Sequence, residues 1–422
     1  MARFGAGVCG DADVVVAAER AAADALSTLG GRTPDLVCFF VCSTDADDFA
    51  LAASRIADLT RGLAIIGCSA AGVLGAETVI ESSASVSVWA ALLPGVIVRS
   101  FHLEVMAVDD GLAVVGLPER RDDDEIALLL IEPASFPADS FVARLNAQLA
   151  GLPVVGGVAG TQFAGGQPML FHDGRCVDRG AVGVFIGGRV SVRAAVAQGC
   201  RAVGPPMVVT ATDRNVITQL AGVAAAFKLE EIVSMLPADE QALASRELLL
   251  GVVMDEYAED HDSGDFIVRP ILGTDQATGG VLLAGVVAVG TSVRLNVRDA
   301  DAAGMELAAM LSALADGPAG DVGGALLFSG RSRAGLFATP THEVSAVRDV
   351  LGTSAIAGLL TAGEVGPAGG RNWLHSSSAT VLAFGSAPAT TRAATPGRER
   401  RRAGAPGDRR ATPPPPPPAA PA

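Results

Sequence analysis

Lysine and aromatic side chains are scarce in this sequence. Lys228 is the single lysine among 31 basic residues, so arginine carries almost all of the positive charge. Aromatic residues make up 4% of the chain, against 50% apolar residues. The arginine bias is more typical of genomic base composition than of a function. The scarcity of aromatics predicts a core packed mainly from Ala, Val and Leu, with few large anchors.

Long apolar runs, a leader segment and paired cysteines are missing as well. No charge-free apolar run reaches the roughly 18 residues that a membrane-spanning helix needs, and no basic-then-apolar segment opens the chain. The six cysteines lie apart, without the close pairs of a zinc ribbon. We therefore predict a cytoplasmic protein with buried, reduced cysteines and with neither a metal nor another cofactor.

The charge is negative and unevenly distributed. The formal net charge is −15, but seven arginines and two acids follow residue 384, which leaves about −20 on the body of the chain. An acidic body is a poor binder of nucleic acid. The tail contains six consecutive prolines close to its end. A segment of this composition cannot build a core, so we predict that residues 386–422 are disordered.

The most informative pattern is a unit that occurs three times. In each copy an apolar strand, a helix and a second apolar strand lead to a turn of small residues, and a further strand follows. The three turns are IIGCSAAG (Ile65–Gly72), VVGGVAGT (Val154–Thr161) and IAGLLTAG (Ile356–Gly363). The pattern predicts an α/β fold with mixed β-sheets, built from repeated β-α-β-loop-β units, flanked by helices and arranged in two domains.

Hydroxyl side chains stand where the second strand of each unit stops, at Ser69, Thr161 and Thr361. Ligands of open α/β sheets tend to bind at the carboxyl ends of the strands. Small residues leave room there, and hydroxyl and backbone N–H groups supply the few polar contacts of a small-molecule pocket. We therefore predict ligand contacts at these three positions.

Glu364 is the sharpest single candidate. It is the one charged residue between Ile356 and Arg371, and it lies in a loop that contains four nearby glycines. A carboxylate in such a loop can accept the ammonium of an amino acid or a metal-bound water. It can equally hold the loop in shape through backbone amides, and the sequence leaves both interpretations open.

Three further patterns give weaker predictions. Pro94-Gly95 between two apolar runs predicts an antiparallel hairpin of residues 85–93 and 96–105. Residues 214–235 have a helical pattern, and residues 280–297 are expected to form a hairpin.

The residues at the first and third turns resemble a known family. The segments LVCFFVCS and IIGCSAAGVLG, and then GALLFSGRSRAGLF and IAGLLTAGEVGPAGGRNWLHSSSATVLAFG, are similar to the FIST N-terminal and FIST C-terminal domains. The most specific element runs from Gly363 to Pro367 and is followed by Asn372 and His375. The resemblance covers about residues 30–385.

The resemblance implies a sensory role in bacterial signalling, with a small polar ligand such as an amino acid and a protein partner downstream. No F-box-like helix precedes residue 30, so the bacterial stand-alone type is expected rather than the eukaryotic branch that serves in ubiquitin ligases. We place a FIST N-terminal-like domain at residues 35–235 and a FIST C-terminal-like domain at residues 236–385, after an N-terminal segment of residues 1–34.

The family often carries a cysteine after the LLFS strand, and this sequence has GRSRAG there. Any function of that thiol is therefore not carried over. Arg331 and Arg333 in this segment are candidates for pairing with a ligand carboxylate, although a solvated turn is the alternative. Asn372 and His375 are weaker candidates for ligand contact.

Two other classes of function stay open. A hydrolase or transferase would use Cys68 or Ser69 as the nucleophile and His375 as the base, but no G-x-S-x-G elbow is present. An interaction scaffold would recruit partners through the proline-rich tail. We favour a non-catalytic sensor.

Overall fold

Three β-α-β units give the fold its plan. The computed structural model describes residues 1–43, 45–81, 84–109, 111–162, 165–255, 265–317 and 321–385. In each unit two parallel strands flank a helix, as the repeated pattern predicts. The helices of these units are α2 (Ala46–Thr60), α3 (Ala138–Gln148) and α7 (His342–Leu351).

Sheet 1 contains the first unit. Its strands are β1 (Arg3–Gly10), β2 (Leu36–Cys42), β3 (Ala64–Ser69), β6 (Ser85–Leu92), β11 (Leu170–His172) and β12 (Arg175–Val177). They lie in the order β1-β6-β2-β3-β11-β12, and β2 and β3 are the parallel pair.

Sheet 2 contains the second unit. Its strands are β7 (Val96–Val108), β8 (Gly111–Val115), β9 (Asp124–Ile131), β10 (Val154–Val158), β13 (Ala181–Gly188), β24 (Glu364–Ala368) and β25 (Arg371–His375). They lie in the order β25-β24-β10-β9-β13-β7-β8, with β9 and β10 parallel.

Sheet 3 contains the third unit. Its strands are β4 (Gly72–Gly75), β5 (Thr78–Ile80), β14 (Val192–Ala197), β22 (Val322–Gly330), β23 (Ile356–Thr361) and β26 (Ala379–Gly385). They lie in the order β14-β26-β22-β23-β4-β5, with β22 and β23 parallel.

The hairpin that follows each unit joins the sheet of another unit. Hairpin β4–β5 of the first unit pairs with β23, hairpin β11–β12 of the second pairs with β3, and hairpin β24–β25 of the third pairs with β10. The three sheets are therefore interlocked in a cycle. The described residues form one compact unit, and the predicted domain division at 235/236, which falls within it, stays a prediction.

The inner faces of the three sheets share one apolar core, and helices cover the outer faces. Alternate residues of β2 point to opposite sides: Phe40 belongs to the shared core, whereas Phe39 packs against α1 (Val14–Ser27) and α2. Helix α3 covers sheet 2, and α6 (Ala300–Ala315) and α7 cover sheet 3. The carboxylates of Asp13, Asp45 and Asp299 cap α1, α2 and α6.

Sheet 4 is inserted between β14 and α6 and has no counterpart in the other two units. Its strands are β15 (Cys200–Asp213), β16 (Val216–Leu220), β17 (Val223–Ala224), β18 (Leu248–Val253), β19 (Phe266–Asp275), β20 (Gly280–Leu283) and β21 (Ser292–Arg298). Strand β15 pairs with both β21 and β16, so the sheet closes on itself. It packs against helices α4 (Ala225–Met235) and α5 (Ala238–Ala244).

The α/β class and the repeated units are confirmed, but three local predictions are wrong. Strands β6 and β7 do not form a hairpin, because the chain crosses from sheet 1 to sheet 2 at Pro94-Gly95. Residues 216–220 are a strand, and the helix begins only at Ala225. Strands β20 and β21 pair with other partners rather than with each other. The predicted disorder of residues 386–422 falls outside the described residues.

None of the helices in the described ranges is long and apolar enough to cross a membrane.

The interlocked sheets predict that the body unfolds as one cooperative unit. Trp89 is fully buried in sheet 1, and Trp373 lies in sheet 2. In Trp89→Phe, which also loses the hydrogen bond from the indole to Ala355 O, we expect a loss of about 1–3 kcal/mol. The remaining tryptophan, Trp373, should then show an unfolding transition at a lower urea concentration than in the wild type. Its fluorescence midpoint should equal the midpoint measured by circular dichroism. An unchanged Trp373 transition would show that sheets 1 and 2 unfold separately.

Candidate functional site

The three turns meet and form a closed ring of backbone hydrogen bonds. Gly160 N donates to Ser69 O at 3.1 Å, Ala71 N donates to Leu360 O at 3.2 Å, and Ala362 N donates to Val158 O at 3.2 Å. In the alignment of the three turns, the donors occupy one equivalent position and the acceptors another. The repetition predicted from sequence is therefore a threefold arrangement in space, with one turn from each unit.

The three predicted hydroxyl residues have different roles in this ring. The hydroxyl of Ser69 is buried and accepts a hydrogen bond from Met169 N at 2.9 Å. Thr161 is half-buried, and its carbonyl accepts from Arg331 Nη1 at 3.3 Å. Thr361 is 1% exposed, and its hydroxyl accepts from Gly363 N at 3.1 Å and lies 2.8 Å from Val158 O.

Glu364 breaks the threefold symmetry. The first strand of each hairpin has one residue opposite the fourth position of a turn. These hairpin residues are Glu364 opposite Gly157, Val73 opposite Leu359 and Leu170 opposite Cys68. Val73 and Leu170 are fully buried apolar residues. The fold therefore accepts an aliphatic side chain at this position, and the third unit has a carboxyl group instead.

The Glu364 carboxyl is completely buried and only half satisfied. Its Oε2 accepts from Ser378 N at 2.7 Å and from Ser378 Oγ at 2.8 Å. Its Oε1 has no hydrogen-bond partner among the described residues. Burial raises the pKa of this carboxyl to about 8, against the opposing effects of the two hydrogen bonds and of the Arg333 charge. Near neutral pH the group is therefore mainly the uncharged acid.

Gly330 provides the space beside Glu364. A Cβ at Gly330 would lie 2.8 Å from Glu364 Oε1, closer than real Cβ contacts allow. In the other two units, Cys42 and Glu132 occupy the equivalent place at the end of the first strand, opposite Ser85 and Gly180. In the third unit, the residue next to the buried carboxyl therefore has no side chain.

A groove of about 560 Å³ opens at this place. Three predicted residues line it, namely Arg331, Thr361 and Glu364. The rest of its lining was not predicted and consists of Glu247, Pro270, Gly330, Ser332, Ala362, Ser376 and Ser377. Sheet 4 contributes Pro270, and Glu247 immediately precedes strand β18 of that sheet. The inserted sheet thus forms one wall and the third unit the other.

Arg298 connects the two walls, and no local pattern in the sequence predicts this role. Its Nε and Nη2 donate to the Glu247 carboxylate at 2.5 and 2.9 Å, and Nη2 also donates to Ser377 Oγ at 2.9 Å. The Ser377 hydroxyl also bonds to Ser332 Oγ. Ser377 has φ = +82°, a left-handed conformation that is uncommon for residues other than glycine and is often held at functional sites.

The remaining predicted residues lie outside the groove. Arg333 is 2% exposed, and its Nε donates to Glu343 Oε1 at 2.7 Å. Asn372 is buried between β10 and α3, where its side-chain oxygen accepts from Val154 N at 2.8 Å. His375 is buried with Nε2 3.2 Å from Gly366 O, and burial lowers its pKa to about 4. These residues hold the framework around the groove.

Cys68, Ser69 and His375 do not have the geometry of a nucleophile and its base. Cys68 is fully buried, and burial raises the pKa of its thiol far above its usual range. The Ser69 hydroxyl is engaged by Met169 N, and within the described ranges no hydrogen bond joins Cys68 or Ser69 to His375.

Little in the sequence pointed to the missed residues. Glu247 and Arg298 are separated from Glu364 by more than 60 residues, and both belong to the inserted part of the chain. The run Ser376-Ser377-Ser378 directly after His375 was the one available signal, because three consecutive hydroxyl residues before an apolar strand are unusual in such an apolar chain.

Comparison with known protein families finds two matching domain models in this chain. The FIST N domain model matches residues 35–223, and the FIST C domain model matches residues 225–367. The chain belongs to the FIST family. FIST domains are generally linked to sensory and signal-transduction roles.

Two mycobacterial relatives match almost their whole length. The uncharacterised protein Rv0628c of Mycobacterium tuberculosis (strain H37Rv) is 38% identical over 385 residues, which cover 90% of this chain and 99% of the relative. The uncharacterised protein Mb0898c of Mycobacterium bovis is 35% identical over 384 residues, which cover 90% of this chain and 98% of the relative. These similarities support the family and a bacterial context.

The buried Glu364 carboxyl predicts a pH dependence of stability. Because its folded pKa of about 8 lies above the ordinary value of 4.5, the folded state holds a proton that the unfolded state releases between these values. Its contribution to stability is fully present below about pH 4.5 and is lost as the pH rises towards 8. Glu364→Gln keeps the shape and removes the titration. Between pH 5 and pH 8, we expect the free energy of unfolding of the variant to rise relative to that of the wild type. The upper limit of this rise is roughly 1.4 kcal/mol for each unit by which the pKa is displaced.

Urea unfolding of both proteins at pH 5, 6.5 and 8 measures this difference. Other titrating groups contribute equally to the two proteins, so they cancel in the comparison. A difference that stays constant with pH would contradict the neutral, buried acid.

The Thr361 hydroxyl gives a second prediction. Thr361→Val leaves Gly363 N without its acceptor, so we expect a loss of about 1–3 kcal/mol in the free energy of unfolding. Thr380 is a matched control, because it is also buried but its hydroxyl has no partner in the described part of the chain. Thr380→Val should therefore be neutral or stabilising. Equal losses in the two variants would refute a role for the Thr361 hydroxyl in the ring.

Proposed function

We propose that this protein is a non-catalytic signalling sensor that binds a small polar ligand, such as an amino acid, in the groove beside Glu364. A conformational signal would then pass to a protein partner. We further propose the division into a FIST N-terminal-like part, residues 35–235, and a FIST C-terminal-like part, residues 236–385. The family supports the sensory class, and the groove supports the ligand.

The observation that carries the proposal is the half-satisfied Glu364 carboxyl. Leaving a buried polar atom without a partner costs roughly 1–3 kcal/mol, and the two equivalent positions avoid that cost with Val73 and Leu170. Two of the three units have no such unpaired polar atom at this position. Its presence in the third unit is typical of a group with a function rather than of one that only stabilises the fold.

The rest of the groove suits a small polar molecule. Ser332, Ser376 and Ser377 bring hydroxyl groups to its surface, and Glu247 and Arg331 bring charges of opposite sign. A ligand with a carboxylate and an ammonium group finds a partner for each. Convergent polar groups of this kind, in a cleft of a few hundred Å³, are characteristic of small-molecule sites.

We propose a cytoplasmic location on the basis of the cysteines. All six are free thiols, and Cys38, Cys42 and Cys68 are fully buried in the shared core. Free thiols are usual in a reducing compartment.

Thermal shift against a panel of small polar metabolites tests the proposal. A ligand at 100 times its dissociation constant should stabilise the wild type by about 2.7 kcal/mol. Glu364→Ala and Arg331→Ala should each lose most of this shift, because both side chains line the groove. Arg144→Ala is the matched control, since Arg144 is an exposed arginine on α3, outside the groove. The proposal fails if no metabolite shifts the wild type, or if the groove variants respond like Arg144→Ala.

A further inference from the structure

Two buried polar atoms without partners belong to residues in the groove wall or directly behind it. One is Oε1 of Glu364, which is completely buried in the groove wall. The other is Nη1 of Arg298, whose side chain is 9% exposed and whose hydrogen-bond partners Glu247 and Ser377 line the same groove. Neither atom has a hydrogen-bond partner in the part of the chain that the structure describes, so each has an unused hydrogen-bonding capacity, and the two side chains interact electrostatically.

The charges around these atoms leave an excess of positive charge. Two ion pairs are internally balanced: Arg298 with Glu247, and Arg333 with Glu343. Glu364 adds no charge while it is the neutral acid. Arg331 is exposed at the groove and is held by two backbone carbonyls, Thr161 O and Gln162 O, rather than by an acid. The balance favours an anion.

Donors also outnumber free acceptors at the inner end of the groove. Arg298 Nη1 can only donate a hydrogen bond. In the acid form of Glu364, Oε2 already accepts two hydrogen bonds from Ser378, which leaves Oε1 as the natural carrier of the proton. An oxygen with a negative charge accepts from both donors, whereas an ammonium group would meet two more donors and be repelled.

We propose that the inner end of the groove binds the carboxylate of the ligand, with Arg298 and the neutral acid form of Glu364 as hydrogen-bond donors and Arg331 as the neighbouring charge. This inference rests on the proposed function and deepens it. The amino group, where the ligand has one, belongs near Glu247 at the rim and is not required for binding. The ligand class therefore extends to small hydroxy and oxo acids.

Three sets of small molecules test whether the inner end of the groove binds a carboxylate or an amino group. The first is a set of carboxylates without an amino group, such as lactate and glycolate. The second is a set of amines without a carboxylate, such as ethanolamine and putrescine, and the third is a set of α-amino acids. Isothermal titration of the full-length protein at pH 7 should detect binding of the first and third sets and not of the second. Arg144→Ala should match the wild type throughout.

Variants of Glu364 test the role of the acid as a donor. Glu364→Gln retains an N–H donor at this position, so a carboxylate should bind within about threefold of the wild type. Glu364→Ala removes the donor and should weaken binding more than tenfold. Ser377→Gly suits the left-handed backbone and removes the hydroxyl that orients Arg298, so we expect an intermediate loss.

The pH dependence gives an independent readout. Lactate does not itself titrate between pH 7 and 9, so its affinity reports the protein. The charged groups around Glu364 are Arg298, Arg331, Arg333, Glu247 and Glu343, and both acids among these neighbours are ion-paired with arginines. Loss of the Glu364 proton should weaken lactate binding to the wild type about tenfold from pH 7 to pH 9. The Gln variant should show no such decline.

The outcomes distinguish the two proposals. Binding of amino acids without binding of simple carboxylates would overturn the carboxylate assignment and leave the sensor proposal standing. Binding of amines, loss of binding in Glu364→Gln, or an affinity that rises with pH would also overturn it. If no probe of any set binds the wild type, both proposals fail.

Discussion

The ring of three backbone hydrogen bonds, between Gly160 and Ser69, Ala71 and Leu360, and Ala362 and Val158, is the constraint on which the rest of the structure depends. The three donor residues, Gly160, Ala71 and Ala362, are all small. The three sheets diverge from the ring, and each sheet receives the hairpin of another unit. Packing requires the glycine at the third position of each turn, because a Cβ on Gly67, Gly156 or Gly358 would lie within 2.5 Å of a neighbouring atom.

Threefold repetition makes departures from symmetry informative. Two departures occur close together: Glu364 replaces an aliphatic residue, and sheet 4 is inserted between β14 and α6. The groove lies where these two departures meet, and Arg298 of sheet 4 bonds to Ser377 of the third unit across it. A ligand in the groove would therefore touch both the symmetric body and the inserted sheet. This arrangement gives a sensor a means of coupling occupancy to the relative position of the two parts, since a ligand shifts an equilibrium only through differential contacts.

The sequence was informative where structure is determined locally and less so where distant segments pair. The β-α-β units depend on the periodicity of neighbouring residues, and the structure agrees. The exchange of hairpins between sheets does not follow from any local signal, because a strand pairs equally well with either neighbour until the whole core forms. For the same reason Pro94-Gly95 was interpreted as a hairpin although the chain changes sheets there. Of the groove, Glu364, Thr361 and Arg331 could be predicted, whereas Glu247 and Arg298 come from the insertion and could not.

The Gly330–Glu364 pair shows why the site fits the fold at little cost in packing. The equivalent pairs are Cys42 with Val73 and Glu132 with Leu170, so each of the other units has a side chain at both positions. The third unit has none at Gly330 and has the longer Glu364 opposite, so the acid fits beside Gly330 without a clash. Electrostatics imposes the larger cost, because an ionised carboxylate without a partner is far more expensive to bury than a neutral one. Protonation reduces that cost and turns Oε1 from an acceptor into a donor. The chemistry that the groove offers to a ligand is thus a consequence of how the fold tolerates the acid.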